Sequence, residues 1–260
     1  MAHKKPIHTT LKWIAGALGL AAGAYAIYVG VAWYQYGRAA QPGQRDDRDE
    51  LLDRFMPVYE VGGRHHIRVA APAAITLAAA RDMDLLRSPV ARAIFRGREL
   101  ILGATSDNRP RPVGLLAEMQ ALGWGVLAET PDREIVVGAV TQPWKANVVL
   151  RALPPGEFAA FDEPGYVKIV WTLRAEPVGP LVSVFRTETR VTTTDTTARE
   201  KFRWYWSFFS PGMFLIRWVS LAPLKADAER RAAAASIDTH IEASSTTRLT
   251  LVAEDPDAVR

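Results

Sequence analysis

The chain of 260 residues contains no cysteine and only five histidines. The absence of cysteine excludes disulfides, thiolate zinc sites, iron–sulfur ligation and a cysteine nucleophile. No histidine occurs between residues 67 and 239, so most of the chain lacks the commonest general base and metal ligand. We therefore expect no metal and no other cofactor, and the pattern argues against a hydrolytic or metal-dependent enzyme.

Familiar signatures of catalysis and nucleotide binding are also missing. The sequence has no P-loop, no G-x-S-x-G elbow and no H-E-x-x-H motif. Residues 123–128 (GWGVLA) fit the G-x-G-x-x-A pattern, but they follow a predicted helix and enter a predicted strand, which is the reverse of the dinucleotide-binding context. These absences argue against enzymatic activity, but they do not decide whether the protein is an enzyme.

Positive charge is concentrated at the N-terminus. The net charge is +4, and residues 1–36 hold three lysines and no acidic residue, which leaves 29 Lys and Arg against 28 Asp and Glu in the rest of the chain. Nucleic-acid binding requires a basic stripe on the folded body. Because the body is close to neutral, we expect no nucleic-acid partner.

The first long apolar run predicts a membrane anchor. Trp13–Gly37 carries no formal charge and ends in an aromatic cluster at residues 33–36. As a helix these 25 residues would span roughly 37 Å, enough to cross a hydrocarbon layer of about 30 Å. We predict a basic tail at residues 1–10 and one transmembrane helix at residues 11–36; the alternative is a cleaved signal peptide, whose apolar region should be shorter. The basic tail favours a bacterial inner-membrane anchor with the soluble body on the periplasmic side.

The remaining sequence predicts one α+β domain. Residues 37–54 are polar and are predicted to form a linker, residues 55–235 a folded domain, and residues 236–260 a flexible tail. Short β-type runs separated by Pro- and Gly-containing turns predict seven antiparallel strands, among them 158–161. Asp195 is placed to cap a long helix that kinks or restarts at Ser210-Pro211.

Two sets of residues are candidates for a ligand site. Large apolar side chains of the sheet and the long helix suit the lining of a cavity, and these are Trp124, Trp171, Trp206, Phe209 and Met213. A second set is polar: Glu134, Glu188, Arg190 and Arg203. Glu188 and its arginine neighbours form either a network inside a cavity facing the helix or an ion ladder facing water. A buried network requires every charge to be paired, because desolvation costs several kcal/mol.

The order of elements resembles the START/polyketide-cyclase (SRPBCC) superfamily. Val69-Ala70-Ala71-Pro72-Ala73, the segment Phe185–Val191 and the aromatic run Phe202–Trp206 carry this resemblance, which covers about residues 58–232. It implies a helix-grip fold, in which seven curved antiparallel strands surround a long C-terminal helix and a cavity for an apolar molecule. The N-terminal anchor departs from the usual free-standing domain, and no catalytic residue of the superfamily matches here.

Three hypotheses follow. The first is a membrane-anchored binding protein for an apolar, lipid- or isoprenoid-like ligand. The second is a cyclase or dehydratase with Glu134 or Glu188 as base, which predicts a carboxyl group of raised pKa in a cavity. The third is a structural or assembly factor with a filled core. We expect an apolar small molecule or lipid and the membrane as partners; the oligomeric state is left open.

Overall fold

The computed structural model describes residues 6–38, 49–105 and 112–254, with the backbone alone described at 6–11 and 238–254. Along the chain the helices are α1 Pro6–Gln35, α2 Glu50–Asp53, α3 Ala73–Asp82, α4 Pro89–Leu102, α5 Leu115–Ala121, α6 Pro155–Ala160 and α7 Thr196–Glu254, with a 3-10 turn at Leu85–Arg87. The strands are β1 Val61–Val69, β2 Gly125–Thr130, β3 Glu134–Thr141, β4 Leu150–Arg151, β5 Val167–Gly179 and β6 Val182–Thr193.

The strands form one antiparallel sheet, so the α+β class is confirmed. Its order is β1-β6-β5-β3-β2, with the short β4 paired to β3. In the described residues the sheet has six strands, and the prediction of seven is wrong because residues 158–161 do not form a strand. Pro155 stands at the start of α6, where its fixed φ favours a helix, and Phe158 anchors that helix in the core with no exposed surface.

The long C-terminal helix lies along one face of the sheet, here called the inner face. The Ala198 amide donates to the Asp195 carboxylate at 2.9 Å, which confirms the predicted cap. The helix runs without interruption through Pro211 and Pro223 to Glu254. Residues 236–254 of the predicted tail thus belong to this helix. No Gly or Pro occurs between residues 224 and 255 to end it. Residues 255–260 lie outside the described residues.

Both faces of the sheet are covered. On the inner face, α3, α5 and the 221–228 part of α7 enclose a core cluster that includes Leu77, Ile135, Leu173 and Phe185. On the opposite, outer face, a second cluster contains Leu52, Met56 and Tyr59 against Val136, Val140 and Val170.

The segment before β1 is part of the folded body rather than a linker. Leu52 has no exposed surface, and Asp49 caps α2 by accepting a hydrogen bond from the Leu52 amide at 2.8 Å. The folded body therefore begins before residue 55, its predicted start after the linker at 37–54. The reason is that Leu51 and Leu52 follow the acidic cap and pack onto the sheet. Residues 39–48 of that prediction lie outside the described residues.

Helix α1 stands apart from the sheet. Lys12–Gln35 is long and apolar enough, by length and composition, to cross a membrane, and its most apolar stretch has no buried residue. The C-terminal end of α1 packs on α7, where the Trp33 carbonyl accepts from Arg203 Nε at 3.0 Å and from Arg203 Nη2 at 2.7 Å. The rest of α1 extends beyond the body.

Candidate functional site

Strand register assigns the polar side chains of β6 to the two faces. Glu188 pairs with Arg64 on β1 and Thr172 on β5, and Arg190 pairs with Val170, whose side chain belongs to the outer core cluster. Since directly opposed residues point to the same side of a sheet, Glu188 and Arg190 lie on the outer face, away from α7. Glu134, which accepts a hydrogen bond from the Thr172 hydroxyl at 3.0 Å, lies there as well.

Arg190 is the centre of an ion network on the outer face. It is 1% exposed, and its guanidinium donates to Glu188 at 2.7 Å, to Asp53 and to the Met56 carbonyl at 2.8 Å. Glu188 also pairs with Arg64 at 2.8 Å. The network therefore ties the segment around α2 to the centre of the sheet, and every charge in it has a partner, as burial requires.

A pair of carboxyl groups lies next to this network. Glu134 hydrogen-bonds with Asp49, and both residues are at least nine-tenths buried. Burial, then the hydrogen bond and the charge of Asp49, raise the pKa of Glu134 to about 8, while Arg174 and Thr172 lower it less. At neutral pH Glu134 therefore keeps its proton and can donate it to Asp49 or to a bound molecule.

The outer face also carries a cleft of about 290 Å³. Its lining consists of charged and polar residues: Asp49, Arg64, His66, Thr172, Arg174, Arg186 and Glu188, together with His65 and Thr187, whose side chains point to the inner face. The accessible walls of the cleft include the apolar stems of these side chains as well as their charged groups. Among the described residues no group of three or more His, Cys, Asp or Glu side chains is arranged to hold a metal ion.

A different polar cluster lies on the inner face under α7. The Arg217 guanidinium lies 5.1 Å from the ring centre of Trp171, and its Nη1 atom is buried without a hydrogen-bond partner in the described part of the chain. The same is true of His65 Nδ1 and Thr189 Oγ1. Register places Thr189 opposite Trp171, and His65 opposite Thr187, which accepts from the Trp171 indole. These unpaired groups thus share one patch.

Burial shifts the protonation of this inner cluster. Desolvation lowers the pKa of Arg217 to about 10, and desolvation followed by the charge of Arg217 lowers the pKa of His65. Phe214 of α7 also packs here, 6.1 Å from the His65 ring centre. The cluster is cationic, and among the described residues no carboxylate pairs with Arg217.

The apolar residues of the inner face differ in burial at this level. Along β5 the inward residues Val167, Leu173 and Ala175 are fully buried or nearly so, whereas Ile169 and Trp171 between them stay half-buried. The core on either side is closed by separate clusters, one around Leu173 and one around Val167. Part of the Ile169 and Trp171 surface therefore stays accessible near Arg217, and this apolar surface is called here the inner strip.

The structure distributes the nine predicted site residues over four places. Glu134, Glu188 and Arg190 lie on the outer face; Trp124, Trp171 and Trp206 are half-buried on the inner side; Phe209 and Met213 lie on α7, and Arg203 at the junction of α1 with α7. The residues that were expected to line one cavity therefore lie at separate places in the structure. Sequence reasoning missed Asp49, His65 and Arg217 as site residues. An arginine inside an apolar helical stripe is the signal that points to Arg217.

Comparisons with known proteins add little to this description. No family model and no curated protein matches the chain. Among solved structures, CalU16 from Micromonospora echinospora is similar over 67% of this chain and 94% of its own, at 13% identity and a TM-score of 0.23. The Zhui aromatase/cyclase from Streptomyces sp. R1128 is similar over 66% and 94%, at 14% identity and a TM-score of 0.21. Such values assign neither a family nor an activity.

Proposed function

We propose that the chain is a membrane-anchored binding protein whose ligand is an amphiphile with an acidic head and an apolar, lipid- or isoprenoid-like body. The observation that carries this proposal is Arg217, whose buried guanidinium atom faces the inner sheet with no carboxylate partner among the described residues. The half-buried Ile169 and Trp171 beside it supply apolar surface for the rest of such a ligand.

The energetics of burial favour an anion at this place. The Arg217 side chain is half-buried, and its Nη1 atom is buried without a hydrogen-bond partner in the residues that the structure describes. A carboxylate or phosphate beside this atom would accept a charge-assisted hydrogen bond that water does not supply there. The Thr189 hydroxyl is a further donor, and His65 donates from Nδ1 in one tautomer or when protonated. Arg217, Thr189 and His65 can thus each donate a hydrogen bond within one patch, and an acidic head group offers several acceptor oxygens.

Helix α1 supports the membrane part of the proposal. In this proposal the apolar Lys12–Gln35 stretch anchors the body by a single pass through a bacterial inner membrane, and the body lies on the periplasmic side. A binding strip held next to a bilayer takes its ligand from the lipid phase, where amphiphiles are concentrated. A topology reporter fused to the C-terminus tests the side.

Native mass spectrometry of the full chain, purified from its host in mild detergent, tests the ligand. We expect a co-purifying acidic lipid or isoprenoid whose occupancy falls about tenfold or more in Arg217→Gln, because a hydrogen bond to a charged group contributes about 1.5–3 kcal/mol. Arg230→Gln is the matched control, since Arg230 lies on the same helix with a side chain 71% exposed.

Two results contradict the proposal. A wild-type protein that carries no ligand, also after incubation with oleate, favours a structural or assembly factor with a filled core. If Arg217→Gln binds the ligand as well as the wild type does, Arg217 does not bind an acidic head group and that part of the proposal is wrong. Melting curves of both variants show whether either has lost its fold.

A second candidate function is acid–base catalysis of the cyclase or dehydratase type. The observation that favours it is the raised pKa of Glu134, about 8, in a carboxyl pair next to a polar cleft. In such a reaction Glu134 would donate a proton and Asp49 would accept one. The test is whether a co-purified ligand changes mass on incubation with the wild type but not with Glu134→Gln.

A further inference from the structure

Helix α7 carries an apolar stripe on the side that faces away from the core. The stripe consists of Trp204, Phe208, Pro211, Leu215 and Trp218, at alternating spacings of four and three residues. These intervals keep the five residues on one side of a helix over roughly 21 Å. Trp204 is 57% exposed, Phe208 40%, Leu215 42% and Trp218 68%.

The opposite side of the same stretch is buried, so the stripe is not a core face. Ile216 within the stretch, and Phe202 and Leu224 beyond its two ends, lie on that side and are between 2% and 6% exposed. A helix on the surface of a water-soluble body pairs a buried apolar side with an outer polar one. Here the outer side is apolar from 204 to 218 and becomes charged beyond both ends, at Glu200 and Lys225.

Helix α1 runs beside this stripe. Trp33 lies 4.8 Å from Trp204 between ring centres, and the Tyr25 hydroxyl donates to the Phe208 carbonyl. Tyr28 bonds to Ser210 at 3.0 Å. The apolar surface of α1 and the stripe of α7 are therefore continuous.

The part of α1 that extends beyond the body is shorter than the hydrocarbon layer is thick. Residues 12–24 are all exposed, and Tyr25 after them bonds to α7, so these thirteen residues of the apolar stretch extend beyond the body. Thirteen residues span about 20 Å as a helix, whereas the hydrocarbon layer is about 30 Å thick. If α1 crosses the bilayer, the part of α7 around Phe208 and Ser210, beside Tyr25 and Tyr28, must enter the bilayer too, and the exposed stripe continues from there to Trp218.

We propose that the Trp204–Trp218 stripe of α7 is immersed in one leaflet of the bilayer beside α1, so that the body is seated in the membrane surface. The partner is the lipid bilayer, and this inference rests on the anchor role of α1 in the proposed function. The stripe begins and ends with tryptophan, a residue enriched at membrane–water interfaces. The proposal does not depend on which ligand the inner strip holds.

Because the chain has no cysteine, single cysteines place nitroxide labels at chosen depths of the full chain. Leu215→Cys and Trp218→Cys report on the stripe, and Leu20→Cys, at a position 79% exposed, reports on α1. Ala226→Cys is the matched control, an exposed position further along the same helix. The labelled proteins are reconstituted in phosphatidylcholine vesicles, and collisions with oxygen are compared with collisions with a water-soluble nickel chelate.

We expect labels at 215, 218 and 20 to collide preferentially with oxygen, and the label at 226 with the nickel chelate. A label at 215 or 218 that resembles the one at 226 overturns the inference, and a label shielded from both reagents does so as well, because protein then covers the stripe. If the label at 20 is also in water, α1 is not in the bilayer and the anchor fails; if only the stripe is in water, the anchor stands and the immersion fails.

Discussion

Substituting Glu134 by glutamine should remove a pH dependence of stability that the buried carboxyl pair introduces. Glu134 has a pKa near 4.5 in the unfolded chain and about 8 in the folded protein. Between these values the unfolded chain loses the proton while the folded protein keeps it, so the free energy of unfolding falls as pH rises. Below about 4.5 and above about 8 this contribution is constant.

The magnitude follows from the size of the shift. A rise in the pKa of Glu134 from 4.5 to about 8 corresponds to a change in the free energy of unfolding on the order of 4–5 kcal/mol. Since the Glu134 side chain is only 11% exposed, solvent screens this effect little. We therefore expect the wild type to lose a few kcal/mol between pH 5 and pH 8.5.

Glutamine has the size of glutamic acid, accepts from Thr172 and donates to Asp49 at every pH. Glu134→Gln should match the wild type near pH 5 and be more stable than it near pH 8.5. The measurement is urea unfolding of the full chain in detergent micelles across this range, and infrared spectra at pH 7 should show a protonated carboxyl that the variant lacks. Glu129→Gln, whose side chain is 42% exposed, is the control and should leave the pH dependence unchanged. Parallel stability curves for the wild type and Glu134→Gln would refute the reasoning.

Two further predictions concern the body. Arg190→Lys should lower the free energy of unfolding in urea by about 2–4 kcal/mol, because an ammonium group cannot serve Glu188, Asp53 and the Met56 carbonyl together. Arg151→Lys, at a side chain that is 42% exposed, should change it by less than about 1 kcal/mol, and equal effects would contradict the role of the network. Gly123→Ala should cost more than about 2 kcal/mol in thermal unfolding, since φ is +102° and a Cβ would lie 2.2 Å from the Leu150 oxygen, whereas Gly103→Ala, with φ +67° and open space, should cost about 1 kcal/mol; similar costs would disprove the clash.

Local signals in the sequence predicted most elements of the fold. The cap at Asp195, the hairpin at residues 131–133 and the alternation in β6 each depend on neighbouring residues, and the structure contains the helix, the turn and the strand. Residues 158–161 were misassigned because four residues are too few to separate strand from helix by periodicity, and the proline at the helix start decides the outcome.

The site was harder to predict because it depends on long-range contacts. Alternation correctly separates Glu188 and Arg190 from Thr187 and Thr189, but it does not say which set faces α7. Both faces of this sheet are covered, so burial of one set does not distinguish them. Asp49 escaped prediction because an acidic segment of mixed charge is usually solvated, and only the tertiary structure brings it to Glu134.

The junction of α1 with the body has a mechanical consequence. Arg203 holds the Trp33 carbonyl with two donors, and the Tyr36 hydroxyl donates at 2.8 Å to Glu60, which also accepts from Thr193 of β6. If α1 crosses a bilayer as proposed, these bonds would transmit its rotation to the body, which would then not swivel as a tethered domain does. A change in the tilt of α1, for instance in a thinner bilayer, would then reach the sheet, and membrane thickness would set the height of the inner strip relative to the lipids.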